Sequence, residues 1–136
     1  MAMKHVGIVG LGTAGTAAAL LLARQGHKVT LLEKTAEASL SGAGAGIGLQ
    51  PIGLRVLQRL GLLEPILERG HRVERLHSVT EAGTTVLDLK YADFRPELFG
   101  VGIHRDVLFR ELHGAARSEP NIEIRYGVDV ASLIAQ

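Results

Sequence analysis

Gly10-Leu11-Gly12-Thr13-Ala14-Gly15 is the stretch on which the reading of this chain turns. It is a Gly-x-Gly-x-x-Gly set between a short apolar run, Val6-Gly7-Ile8-Val9, and an Ala- and Leu-rich stretch over residues 14–25. Standing alone the spacing says little. Between a strand and a helix it is the fingerprint of a dinucleotide-binding turn. The three glycines serve different ends, since Gly10 permits the tight turn, Gly12 leaves the backbone open to a pyrophosphate, and Gly15 lets the helix lie close to the strand. The first-turn amides, at Thr13 and Ala14 among others, then face the phosphates along with the positive end of the helix dipole.

Working outward, residues 6–9 read as a strand buried on both faces, as in a parallel sheet covered by helices. Residues 14–25 read as a helix closed by Gly26. Lys28-Val29-Thr30-Leu31-Leu32 reads as a second strand ending at Glu33. Together they predict a right-handed βαβ unit with parallel strands. Glu33 stands about twenty residues beyond the glycines, where a carboxylate accepts hydrogen bonds from the two hydroxyls of an adenosine ribose. The same charge repels a 2′-phosphate, so NADP is disfavoured at this position. FAD and NAD both fit these residues.

Residues 39–48 carry Gly42, Gly44, Gly46 and Gly48 between small or apolar residues and predict an extended stretch. Pro51 suits a first helical turn, Leu54, Leu57 and Leu60 share a face, and Gly61 ends that helix. Residues 62–69 predict a further turn or two of helix. Residues 73–89 alternate around Glu81-Ala82-Gly83 and predict a hairpin. Residues 104–117 return to helical period, with Leu108, Leu112 and Ala115 as the buried stripe and Pro120 as the stop. Ile122-Glu123-Ile124-Arg125-Tyr126 predicts a third strand. No repeat, low-complexity tract or linker marks a boundary, so residues 1–136 read as one domain.

Composition narrows the function classes. The 15 basic residues nearly balance 14 acidic ones and are scattered, which leaves no basic face for a nucleic acid. Without cysteine there are no disulfides, thiolate metal sites or thiol catalysis, and the chain suits a reducing cytoplasm. Redox chemistry would have to come from a cofactor. The six histidines, at positions 5, 27, 71, 77, 104 and 113, show no metal-ligand spacing, and no metal site is expected. Asp88, Asp93 and Asp106 can be imagined as bases, but no spacing in the sequence joins any of them to a catalytic constellation, and no catalytic residue is assigned. The apolar run over 6–23 could be taken for a signal peptide or membrane anchor, but Gly7, Gly10, Gly12, Gly15, Thr13 and Thr16 interrupt it, so no membrane segment is expected.

Residues 10–33, with Ala19, Leu22, Gly26 and Val29 between the motif ends, follow the spacing of FAD-binding βαβ units in flavoprotein hydroxylases. Gly44-Ala45-Gly46-Ile47-Gly48-Leu49-Gln50-Pro51, then Gly53-Leu54-Arg55 and Leu60-Gly61-Leu62, look like that family's second glycine-rich stretch and its helix. Ile103-His104-Arg105 with Leu108 and Leu112 is similar to its Arg-x-x-Leu-x-x-x-Leu helix. Over residues 4–133 the chain thus resembles the group A flavoprotein monooxygenases, the family of para-hydroxybenzoate and salicylate hydroxylases.

The resemblance implies a Rossmann-like α/β FAD-binding domain with a parallel sheet, in which the 73–89 hairpin begins the sheet of an incomplete substrate domain. It implies FAD as cofactor, NADPH or NADH as transient reductant, and a small aromatic substrate hydroxylated with oxygen. Glu33 would hold the adenosine ribose with Lys34 nearby, Arg105 would reach the pyrophosphate and ribityl region, and the Val130 backbone would meet the adenine. The stretch around Gly46 would pass the flavin side. Read without that resemblance, Arg105 is a surface arginine at a helix start, unfavourable to the dipole unless an anion is present. Pro51-Ile52-Gly53 departs from the family's Pro-Asn-Gly, which leaves no polar side chain at position 52 and does not bear on the helix.

The family's later Asp-Gly and Gly-Asp motifs are absent from this sequence, so it is expected to be the N-terminal part of a hydroxylase and not to hydroxylate alone. Its hairpin face and sheet edge favour a homo-oligomer or a complementing C-terminal chain. Two other readings are a split dinucleotide-binding module without its own activity and part of an amine or hydroxy-acid FAD oxidase. The Arg105 helix and the 44–51 stretch fit the hydroxylases better.

Overall fold

A computed structural model describes residues 2–40 and 44–134. Along the chain run β1 (His5–Val9), α1 (Thr13–Arg24), β2 (Lys28–Glu33), β3 (Gly46–Leu49), α2 (Pro51–Arg59), α3 (Leu63–Arg69), β4 (His71–Val73), β5 (Arg75–Val79), β6 (Thr85–Lys90), β7 (Gly100–His104), α4 (Arg105–Ser118) and β8 (Ile122–Tyr126). Single 3-10 turns lie at Glu37–Ser39 and Tyr91–Asp93. The chain divides into two compact units, residues 1–43 with 106–136, and residues 44–105.

In the first unit β1, β2 and β8 form a parallel sheet in that order. The expected βαβ unit is present. Alanine, leucine and arginine favour helix along α1, and its inward residues Ala19 and Ala23 form a core with Leu11, Val29 and Leu31, joined by Ile8, Ile122 and Ile124. Gly26 ends the helix as expected: with φ +86°, its N–H donates to the Ala23 carbonyl at 2.9 Å and that of His27 to Leu22 at 3.2 Å.

The two-sided burial expected of β1 is not observed. His5, Gly7 and Val9 are exposed while Val6 and Ile8 are half-buried. α1 covers the face bearing Val29, Leu31, Ile122 and Ile124, whereas the opposite face carries a His5 Nε2–Thr30 Oγ1 hydrogen bond of 2.8 Å and a Glu123–Arg125 ion pair. A four-residue apolar run carries too little periodicity to distinguish one-sided from two-sided burial.

α4 buries Leu108, Leu112 and Ala116, and Ala115 is half-buried, so the stripe runs at steps of four rather than shifting by three at its end. His104 ends β7 instead of opening the helix. α4 stops before Pro120, and a 2.8 Å hydrogen bond between His113 Nε2 and the Tyr126 hydroxyl ties it to β8.

In the second unit β7 lies between β3 and β4, antiparallel to both. β7 is absent from the sequence reading because Gly100 and Gly102 weaken its strand signal. The structure shows why Gly100 is there: a Cβ would lie 2.9 Å from the Tyr91 hydroxyl and 3.1 Å from the Leu49 carbonyl oxygen. α2 begins at Pro51, buries Leu54 and Leu57 with Leu60 just beyond it, and gives way at Gly61, φ +65°. α3 supplies the expected further helical turns.

β5 and β6 form the expected hairpin, turning at Gly83 with φ +82°, but Val73 belongs to β4 and pairs with β7. Within the 39–48 stretch, Ser39 closes a 3-10 turn and Gly46 and Gly48 lie in β3; Gly42 falls outside the described residues. The apolar run over 6–23 resolves into β1, a glycine loop and α1. Among the described residues no helix is long and apolar enough to cross a membrane.

Candidate functional site

All three strands of the parallel sheet end on the same side, and the glycine loop joins the end of β1 to α1. Gly10 takes φ +101°, and its N–H donates to the Leu32 carbonyl at 2.8 Å, pinning the turn to β2. A Cβ on Gly15 would run into the Gly10 carbonyl oxygen, so glycine here is a packing requirement. Gly12 is different. Its backbone is ordinary extended, φ −74° and ψ 177°, and a Cβ would project into open space. Neither a positive φ nor packing calls for glycine at 12; as the N-cap of α1 it is favoured over alanine by less than about 1 kcal/mol, and its bare backbone leaves room for a ligand.

The loop is held from beneath. The Leu11 side chain is 2% exposed in the core, and the buried Thr16 hydroxyl donates to the carbonyls of Gly12 at 2.9 Å and Leu11 at 3.2 Å. The first α1 amide bond is Thr16 N–H to Gly12 at 2.9 Å, so the amides of Thr13, Ala14 and Gly15 precede it at the helix end. Gly12, Thr13 and Ala14 are exposed there, and the first turn contains no acidic residue to compete with an anion.

Glu33 ends β2 beside this loop. One carboxylate oxygen, Oε2, accepts the Leu11 N–H at 2.8 Å, and Oε1 accepts the Thr35 N–H at 2.9 Å. The Leu11 amide first, and then the Thr35 amide, hold the Glu33 carboxyl below its ordinary value. The group is therefore ionised at neutral pH and fastens the loop, a role absent from the sequence reading. Each oxygen has a second acceptor site, so two sites remain for a diol.

A cleft of about 220 Å³ opens at these strand ends, lined by Val9, Gly10, Leu32, Glu33, Lys34, Val128, Asp129 and Val130. Four residues selected from sequence thus line one cleft: Gly10, Glu33, Lys34 and Val130. The segment after β8 reaches it through Val128 N–H to the Glu33 carbonyl at 2.9 Å and Gly127 N–H to Thr35 at 3.3 Å. Asp129 was missed; a lone acid in a polar segment after a strand gives no sequence signal.

In the second unit, Gly46 begins β3 opposite His104, and Arg105 follows directly as the first residue of α4. Gly44 lies against Arg105: a Cβ there would stand 3.2 Å from Arg105 Cδ. Arg105 is exposed and opens α4, one residue later than the helical period predicts.

A glycine loop open at Gly12, with an ionised acid at the next strand end, has the features of a dinucleotide cradle. The FAD binding domain family matches residues 3–136. The chain belongs to that family. Its similarities lie with flavoprotein monooxygenases, as the 10–33 and 44–51 motifs imply. It is 34% identical to 3-hydroxybenzoate 6-hydroxylase of Klebsiella oxytoca over 93% of its own length and 32% of that enzyme. To kynurenine 3-monooxygenase of Salinispora arenicola it is 32% identical over 96% of its length and 29% of the enzyme.

Among solved structures, 2-methyl-3-hydroxypyridine-5-carboxylic acid oxygenase superposes with a TM-score of 0.75 at 28% identity, covering 93% of this chain and 32% of that one. A probable FAD-dependent monooxygenase of Pseudomonas aeruginosa gives 0.76 at 25% identity, covering 90% and 33%. This FAD-binding domain therefore spans about a third of the length of those proteins.

Proposed function

We propose that this chain binds FAD within a flavoprotein monooxygenase that hydroxylates a small aromatic substrate with NADPH or NADH and oxygen. The observation that carries dinucleotide binding is Gly12, whose missing side chain neither a positive φ nor the core demands, and membership of the FAD binding domain family over residues 3–136 supports FAD as that dinucleotide. Support for the hydroxylase comes from the Arg105 helix, the 44–51 stretch and the relatives' names. Bound FAD would supply electron transfer and oxygen activation, while the protein supplies binding and orientation.

The amides of Thr13, Ala14 and Gly15 offer donors to a pyrophosphate, and the two remaining acceptor sites of Glu33 suit a ribose diol. Lys34 adds a positive charge at the cleft. The Val130 backbone is assigned to the adenine. Arg105 is assigned to phosphate oxygens, for which a guanidinium fork is well shaped. Gly46 leaves the β3 backbone bare for the flavin side. Residues 1–136 then form part of an FAD-binding domain, completed by further chain or by association with another copy, and a cysteine-free sequence fits a reducing cytoplasm.

Titration of the purified chain with FAD and, separately, NAD tests this reading. FAD is expected to bind more tightly than NAD, with Glu33→Ala weakening it, and the chain alone is expected not to consume NADPH with an aromatic substrate. A preference for NAD would discard the flavoprotein reading, and turnover by the chain alone would overturn the expectation of inactivity.

A further inference from the structure

The three strand ends lie in the order β1, β2, β8, and neighbouring strands are roughly 4.8 Å apart, so the ends span about 10 Å. The phosphate-facing glycine loop follows β1, and the diol-accepting Glu33 ends β2. A nucleotide laid along the strand ends in that order, diphosphate then ribose, brings its base to the end of β8. There the cleft wall consists of Val128, Asp129 and Val130, with Leu32 beside them at the end of β2, while Val9 lines the cleft at its β1 end. Gly127, at φ +69°, turns the chain out of β8, and the two backbone bonds to Thr35 and Glu33 fix the segment that follows.

From this progression we infer that Asp129 is a specificity-determining residue, selecting a base with an exocyclic amino group over one with a carbonyl there. The inference rests on the FAD reading above. A carboxylate at neutral pH accepts hydrogen bonds and donates none. Adenine offers a 6-amino donor, which a carboxylate attracts. Hypoxanthine, the same ring system with oxygen at that position, presents an acceptor there and carries its donor at N1 instead, so a carboxylate facing position 6 meets a second acceptor and the two repel. The two carboxylates of the cleft divide the work: Glu33 is committed to the loop and the ribose position, whereas Asp129 stands one strand further on. Lys34 lines the cleft as well, but an ammonium donates and so would favour the carbonyl base. The two side chains make opposite predictions for the same pair of ligands.

The test is equilibrium binding, followed by flavin fluorescence, of FAD, its hypoxanthine analogue and riboflavin to the 136-residue chain, and of the first two to Asp129→Ala, Asp129→Asn and Lys34→Ala. The parent chain is expected to prefer FAD by about tenfold, equivalent to about 1.4 kcal/mol. Asp129→Ala should bring the two ligands to within about threefold, by weakening FAD and strengthening the analogue, and what preference remains belongs to the Val130 backbone. Asp129→Asn, whose amide both donates and accepts, should also bind the two about equally. Lys34→Ala should leave the FAD preference intact or widen it. Thermal melts of each variant, expected to match the parent because Asp129 and Lys34 are not buried, separate binding from folding. A parent chain without preference, or an unchanged preference in Asp129→Ala, overturns the inference and leaves FAD binding standing. FAD binding no tighter than riboflavin overturns the FAD reading and the inference with it.

Discussion

Two glycine-rich segments of this chain look alike in sequence and differ in what holds them. In the loop over 10–15, Gly10 is compelled by its positive φ and Gly15 by the carbonyl it lies against, so the fold itself enforces two of the three glycines. In the stretch over 44–48, Gly46 and Gly48 sit in β3 with no positive φ; a Cβ on Gly46 would come no nearer than 3.9 Å to the Ile103 carbonyl oxygen, and one on Gly48 would meet open space. The first segment is a structural turn with one position, Gly12, left open. The second is a strand whose glycines, Gly46 and Gly48, the fold does not need, preceded by Gly44 against Arg105. Glycine density alone therefore marks neither turn nor ligand, and the distinction lies in what each missing Cβ would have met.

The widest separation between the segments is expected at Gly15. Gly15→Ala should cost about 2–3 kcal/mol of stability, because its methyl group meets backbone rather than a yielding side chain. Urea unfolding measures it, and a cost below about 0.5 kcal/mol would place Gly15 in the same class as Gly46.

Glu33 comes next. Glu33→Gln leaves an amide that accepts through one oxygen, so the Leu11 or the Thr35 N–H loses its partner, at a cost of about 1–2 kcal/mol at neutral pH. The pH dependence has a definite sign. The folded pKa of Glu33 lies below its unfolded value, so its contribution is complete above about pH 4.3 and is lost as pH falls from there through the folded value. In the Gln variant the acid loss of stability should be shallower. Identical acid limbs in both proteins would remove Glu33 as the fastening of the loop.

Much of this was legible from sequence because local rules and tertiary packing agree. The βαβ unit, the Gly26 and Gly61 helix ends, Pro51 at the start of α2 and the turn at Gly83 all follow from backbone chemistry. What was not legible depended on long-range partners. β7 hides behind Gly100 and Gly102, and the small size of Gly100 is required by Tyr91 and Leu49. Val73 alternates with the hairpin yet pairs with Gly100. The bond from Glu33 to Leu11 joins residues 22 apart, which a motif reading could place side by side without revealing that one fastens the other. Asp129 reaches the cleft through the path of the backbone after β8.

The smallest effect on folding is expected at Gly46. Gly46→Ala should leave stability within about 0.5 kcal/mol of the parent. If the stretch passes the flavin side as proposed, the same variant should lower FAD affinity, though by less than a change at Gly12. A clear loss of stability would mean that β3 needs its glycine for packing after all.

The measurement that bears most directly on the cradle is the behaviour of Gly12→Ala in two assays on one preparation, thermal unfolding without cofactor and titration with FAD. The predicted result is stability within about 1 kcal/mol of the parent, because the N-cap preference for glycine and the unfolded-state entropy removed by alanine act in opposite directions, together with at least a roughly tenfold loss of FAD affinity. Full FAD affinity in Gly12→Ala, or a loss of affinity accompanied by an equal loss of folding, would contradict the claim that the side chain is missing for the ligand's sake.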